Sequence, residues 1–150
     1  MDLTIRHATM ADAERIASLI TELGYPTLPE QMTGRLATIL RDDAYRTLVA
    51  CDGATIAGVV GTRVGSMYEI DEPYGQVMVI VVAAEYRRHG IGGRLVQAAE
   101  SFFAARGARV AVVTSAHRRA DAHAFYESHG YTFDGRRYKK ALPPATGEAT

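Results

Sequence analysis

The sequence predicts one α/β domain in which a mixed sheet carries helices on its faces. Three observations lead there. Period-two strand patterns alternate with period-3.6 helical patterns along the whole chain. An eight-residue apolar run, residues 77–84, is bounded by polar turns and fits a strand covered on both sides. The length of 150 residues suits one hydrophobic core, with no repeat or linker to divide it. The expected order is β-α-α-β-β-β-α-β-α-β-β, a single domain over residues 1–142 with a disordered tail at 143–150.

Residues 3–8 (LTIRHA) alternate and open the chain as a strand. Thr9 precedes a helical pattern with Ile16, Leu19, Ile20 and Leu23 on one face, and Asp12 completes a capping box with Asp in place of Glu. Gly24 is its C-cap, and Pro26 blocks continuation. A second box, Thr27-Leu28-Pro29-Glu30, opens a helix carrying Met32, Leu36, Ile39 and Leu40. Residues 45–51 form a strand that turns at Asp52-Gly53 into a long partner, 54–67. That partner holds Gly58, Gly61 and Gly65, which imply bulges or close packing. A polar loop, 68–75, contributes Glu69, Asp71 and Glu72 between Tyr68 and Tyr74.

Next comes QVMVIVVAAEYRRHGIGGRL, residues 76–95, an apolar strand followed by a basic, glycine-rich turn and a helix start. The helix runs to about Arg106 with Leu95, Val96, Ala99, Phe102 and Phe103 inward, and Gly107 stops it. Residues 109–114 read as a buried strand and 119–129 as a helix closed by Gly130. Residues 131–133, a turn at Asp134-Gly135 and residues 136–142 read as a final hairpin.

Composition excludes several classes. Seventeen basic residues balance seventeen acidic ones, so no nucleic-acid or anionic-membrane partner is implied. The longest apolar run is far short of the ~20 residues that span a bilayer. The start lacks a signal-peptide core, which points to a cytoplasmic protein. The lone Cys51 supplies neither disulfide nor metal cluster and sits in a strand pattern as a core thiol. No metal is expected.

The stretch after the apolar strand has the chemistry of an anion cradle. Gly90, Gly92 and Gly93 admit close approach of an anion to the backbone, and the first amides of the following helix, with Ile91 among them, point outward unpaired. Arg87, Arg88 and His89 add positive potential. A pyrophosphate suits such a turn; a bare strand–helix turn with solvated arginines is the alternative. A P-loop would need Gly-Lys-Ser/Thr, which is absent, and a dinucleotide fingerprint would need a third glycine where Leu95 stands.

The segment Val82-Ala83-Ala84-Glu85-Tyr86-Arg87-Arg88-His89-Gly90-Ile91-Gly92 resembles the acetyl-CoA motif of the GNAT superfamily of N-acetyltransferases, V-x-P-x-x-[RQ]-x-x-G-x-[GA], with Ala84 in place of the proline. The block Ala122-His123-Ala124-Phe125-Tyr126-Glu127-Ser128-His129-Gly130-Tyr131 is similar to that family's A-x-x-[FL]-Y-E-x-x-G-[FY] element, and the opening IRHAT…DAERIASLI looks like a GNAT opening. The resemblance thus spans about Ile5 to Ala141. It implies a mixed, mostly antiparallel, twisted sheet flanked by about four helices.

The resemblance also implies acetyl-CoA as co-substrate. The amides of residues 87–93 would hold its pyrophosphate. Ile80, Val81 and Val82 would offer strand-edge groups to the pantetheine arm and thioester. Tyr126 would serve the departing thiolate as acid or hydrogen-bond donor. His123, one turn before it, could line the same site, though a helix-surface histidine is the competing reading. Two departures stand out. Relatives often carry a basic Glu where Gln76 stands, and an Asn where Arg119 stands. Glu69 and Glu72 are candidate replacements for the base, or an electrostatic socket for a cationic acceptor; a solvated loop is the alternative. The expected reaction is direct acetyl transfer to a small-molecule or protein amine. A non-catalytic acyl-CoA sensor of the same fold is the alternative. A homodimer is an expectation the family adds; no residue in the sequence demonstrates it.

Overall fold

The computed structural model describes residues 1–114, 120–135 and 137–145. They fall into two compact units, residues 1–113 and 114–150. In the first, the order is β1 (Leu3–His7), a 3-10 turn (Met10–Asp12), α1 (Ala13–Leu23), α2 (Pro29–Ile39), β2 (Tyr45–Asp52), β3 (Thr55–Gly65), β4 (Tyr74–Val82), a second 3-10 turn (Ala84–Tyr86), α3 (Ile91–Ala105) and β5 (Val110–Val113). The second unit contains α4 (Ala120–Ser128). No helix among the described residues is long and apolar enough to cross a membrane.

The five strands lie in chain order, antiparallel except for the parallel β4–β5 pair. Alternation along the strands sorts the core into two layers. Val49, Cys51, Val59 and Val81 pack with Ile16, Leu19, Met32 and Leu36 of α1 and α2. Leu48, Ala50, Val60 and Val77 pack with Ile91, Leu95, Ala99 and Phe103 of α3. Cys51 is the buried thiol its strand pattern predicts. Gly75 is required by this packing, because a Cβ there would fall inside the Phe103 ring.

The local punctuation reads as expected at most boundaries. Gly24, Gly53, Gly107 and Gly130 all have positive φ. The Asp12 carboxylate accepts the Thr9 amide at 2.8 Å, as the capping box predicts, and also takes both Arg6 guanidinium nitrogens at 2.8 and 2.9 Å. The N-cap of α2 differs. It is Leu28, whose amide donates to Gln31 Oε1 at 2.9 Å with Pro29 at the first helical position, while the Thr27 hydroxyl bonds the Tyr25 carbonyl. Pro29 pre-sets the helical φ, so the helix begins there, and Leu40 falls at its exposed C-cap rather than inward.

Three further corrections concern the sheet. Among the described residues β5 is an edge strand, with Val110 exposed, instead of a buried one. β4 is not covered throughout: Val77 pairs with Thr62 and Val79 with Gly61, so Met78 is the extra residue of a bulge and is exposed. The final hairpin is absent among the described residues; 131–135 and 137–145 form no strand, and Phe133, Tyr138 and Leu142 are exposed. The run RRYKK puts cations on both alternating faces, leaving no apolar face to hold the segment to a sheet. Of the expected tail, residues 146–150 lie outside the described residues.

The Arg6–Asp12 pair ties β1 to the start of α1. The Arg6 hydrogen bond, opposed by burial and aided by the Thr9 amide, holds the Asp12 carboxyl below the ordinary carboxylate range. With the folded value below the unfolded one, this contribution is complete above about pH 4 and disappears as pH falls through the lowered value. Asp12→Ala should therefore cost about 2 kcal/mol at pH 7. Thermal unfolding across pH should show the gap to the unaltered protein closing below about pH 4.

Candidate functional site

The β4–α3 turn is anchored at three successive residues. The Ala84 amide donates to Glu22 Oε1 on α1 at 2.7 Å. Glu85 pairs with Arg15 of α1 at 3.7 Å. The Tyr86 hydroxyl donates to Asp52 Oδ2 at the end of β2, 3.1 Å away, and desolvation with this hydrogen bond pushes the phenol pKa up. Ala84 stands where the motif has proline. Proline has no N–H to donate, so the contact with Glu22 exists because of the substitution.

Beyond the anchors the backbone reverses through two left-handed residues, Arg88 at φ 66° and Gly90 at φ 75°. Arg88 is the one non-glycine residue with positive φ among those described. The first intrahelical bond of α3 runs from Arg94 N–H to the Gly90 carbonyl at 3.2 Å, so the amides of Ile91, Gly92 and Gly93 have no acceptor within the helix. No acidic residue stands in that first turn. The partial positive charge of the helix start is thus uncancelled.

The basic side chains divide their work. Arg87 Nε donates to the Val82 carbonyl at 3.2 Å, and its guanidinium lies 3.6 Å from Glu22. His89 Nδ1 lies 3.1 Å from the Tyr86 carbonyl and 2.9 Å from that of Arg87; as both only accept, the ring donates through an Nδ1–H. Both therefore brace the turn. Arg88 is exposed and makes no hydrogen bond or ion pair among the described residues, leaving its charge available.

Ile80, Val81 and Val82 precede the turn on β4. The parallel pairing with β5 ends at Val77↔Val113, while pairing with β3 continues to Val82. Among the described residues, β4 beyond Val77 therefore has one open edge, and alternate peptide groups along it face away from β3. Val81 is buried toward α1; Ile80 and Val82 are partly buried toward α3. The opening coincides with the Met78 bulge, which adds local twist to β4.

The remaining candidates lie elsewhere. Glu69 and Glu72 are exposed on the loop before β4 and make no hydrogen bond or ion pair among the described residues. Gln76 sits within β4, opposite Arg63 of β3 and Val112 of β5. In the second unit, Tyr126 and His123 are half-buried on α4, one turn apart. The Tyr126 ring meets Phe125 and Tyr131 edge-on at 5.4 and 6.2 Å, and its carbonyl accepts the amides of His129 and Tyr131. Arg119 lies outside the described residues. Glu22 and Arg63 were missed by sequence reasoning. Glu22 is 62 residues from its partner Ala84, and no local pattern signals such a contact.

The open strand edge, the basic, glycine-rich turn and the helix behind it are features of an acyltransferase-type fold, and comparison with known proteins identifies the class. The model of the acetyltransferase (GNAT) family matches residues 12–131, and the chain belongs to that family. It is 29% identical over 140 residues to an aminoalkylphosphonate N-acetyltransferase of Salmonella typhimurium, covering 92% of this chain and 90% of that one. Its fold matches a GNAT family acetyltransferase of Staphylococcus aureus, with TM-score 0.81, 26% identity, and 95% and 100% of the two chains covered. It also matches a transcriptional regulator of Bacillus halodurans, with TM-score 0.86, 23% identity, and coverage of 94% and 100%.

Removing the Glu22 carboxylate should loosen the turn. Glu22→Ala is expected to cost about 1–2 kcal/mol. The Ala84 amide should exchange with solvent deuterium markedly faster, measured residue by residue by NMR; unchanged exchange would mean that Glu22 does not hold the turn.

Proposed function

We propose that this chain is an N-acetyltransferase that moves acetyl from acetyl-CoA to a primary amine by direct attack. The observation that carries the reading is the turn itself. Three acceptor-free amides at the start of α3 adjoin the open edge of β4, and the sequence there bears the family's acetyl-CoA motif. A pyrophosphate suits the amides of Ile91, Gly92 and Gly93 with Arg88 alongside. The peptide groups of Ile80, Val81 and Val82 suit the amide-bearing pantetheine arm. Arg87 and His89 serve the same site by holding its backbone.

In the reaction the amine nitrogen bonds to the thioester carbonyl carbon, whose oxygen takes up negative charge. Collapse re-forms the carbonyl and releases the CoA thiolate, while the nitrogen loses a proton. An amide of the open β4 edge aimed at the oxygen would stabilise the charged intermediate. Tyr126 is the proposed proton donor to the thiolate. The acceptor must first become neutral, because an amine of pKa ~10.4 is neutral less than about once per thousand at pH 7. Gln76 cannot accept that proton, so Glu69 or Glu72, or a water relay, is assigned to it.

The acceptor is a small-molecule or protein amine. Aminoalkylphosphonates head the panel to be tried, given the name of the Salmonella relative. A second reading, an acyl-CoA-binding module without turnover, is favoured by Gln76 standing where relatives often place a base. Thiol release from acetyl-CoA across an amine panel separates the two. CoA binding with no turnover on any amine would leave the sensor.

Two variants test the assigned parts. Gly92→Val should abolish CoA binding, measured by calorimetry, while the protein stays folded; retained affinity would remove the anion cradle from the account. Tyr126→Phe should lower turnover about 100-fold with little change in acetyl-CoA affinity. An unaltered rate would return Tyr126 to a packing role.

A further inference from the structure

Arg63 is a half-buried cation of the first unit with no ion partner among the described residues. It lies on β3 directly opposite Tyr45 of β2 on one side and Gln76 of β4 on the other, so the three side chains share a sheet face. Its guanidinium lies over the Tyr45 ring, 5.8 Å from the centroid. It folds across Gly65: a Cβ there would stand 2.7 Å from its Nη1 and 3.5 Å from Tyr74 Cε1. The absent side chain at Gly65 leaves the room that the guanidinium occupies between the two tyrosines. Arg63 is half-buried, yet among the described residues it makes no hydrogen bond or ion pair. That contrasts with Arg6, Arg15 and Arg87, each of which has a carboxylate within 4 Å.

A half-buried guanidinium without a counter-charge is costly to keep, and its rigid fork matches a two-oxygen anion. The groups around it agree in sign. Tyr45 and Tyr74 carry hydroxyls that can donate, and the Gln76 amide adds two more donors. No carboxylate competes for the guanidinium among the described residues. The face is that of Gln76, where the family's base commonly stands, and β4 gains its open edge two residues further along, beyond Val77.

We propose that Arg63 recognises an oxyanion carried by the acceptor, so that the substrate is an amine bearing a phosphonate, phosphate or carboxylate group. This deepens the acetyltransferase reading and rests on it. The acceptor's anionic end is gripped by the Arg63 fork between Tyr45 and Tyr74, with the Gln76 amide beside it. Its amine end is left toward the thioester. Gln76 in place of a glutamate fits the same account, since a carboxylate there would repel the anion and would pair with Arg63.

The test titrates the protein–CoA complex with 2-aminoethylphosphonate, 3-aminopropanoate and 2-aminoethanol, which differ in the oxyanion. The unaltered protein should bind at least one anionic amine about tenfold or more tightly than 2-aminoethanol. Arg63→Ala should erase that preference while CoA affinity, which also reports folding, stays within about twofold. Arg63→Gln, which keeps N–H donors but loses the charge, should behave as Arg63→Ala and is read in its place if the alanine variant does not fold. The tighter of the two anionic amines identifies the oxyanion.

Equal binding of all three amines, or a preference that survives both substitutions, overturns the assignment. Thiol release, measured with the same variants and amines but with acetyl-CoA in place of CoA, keeps the two readings apart. Anion preference without turnover sinks the acetyltransferase reading and leaves Arg63 as an oxyanion-binding residue with no acceptor to present. Turnover without anion preference does the reverse.

Discussion

The constraint on which the first unit depends is that the peptide groups between β4 and α3 be held from behind while their front is left open. A turn that binds through backbone amides cannot also be stabilised by bonds to those amides. Here the stabilisation is displaced to the reverse side. Glu22, Arg15 and Asp52 hold Ala84, Glu85 and Tyr86, and Arg87 and His89 tie up the carbonyls of Val82, Tyr86 and Arg87. Every one of these contacts satisfies a group other than the amides of Ile91, Gly92 and Gly93.

Much of this was legible from sequence because it is local. Period-two and period-3.6 patterns located β1, α1, β2, β3 and α3, and glycines at positive φ ended the elements where the letters put them. The capping box at Thr9 was recoverable because cap and acceptor are three residues apart. The same logic failed at Thr27, because Pro29 at the first helical position moved the N-cap to Leu28. The final hairpin was inferred from a turn dipeptide flanked by aromatics; turn chemistry permits a hairpin but cannot supply the apolar face that the strands need.

The site was legible on one side only. The glycines and arginines of residues 87–93 carry the proposed anion-cradle reading in their own letters, and the left-handed turn and helix start stand where they place them. The contacts of Glu22 and Asp52 span 62 and 34 residues and carry no local signature. The bulge at Met78 is likewise invisible, since it is a property of register between two strands. Arg63 was hidden for another reason: a cation alternating within a strand reads as its solvated face, and only the glycine two residues on and the lack of any ion partner set it apart.

The left-handed backbone at Arg88 has a further consequence. A non-glycine residue at φ 66° costs about 1 kcal/mol or more relative to an extended conformation. That cost is met by the folded protein before any ligand arrives. On the acetyltransferase reading proposed above, an incoming pyrophosphate would find the amides already aligned, and its affinity would be spared the ordering term. A glycine at the same position would relax the turn and transfer that term to the binding step. In this light the arginine contributes through the shape of its main chain as much as through its charge.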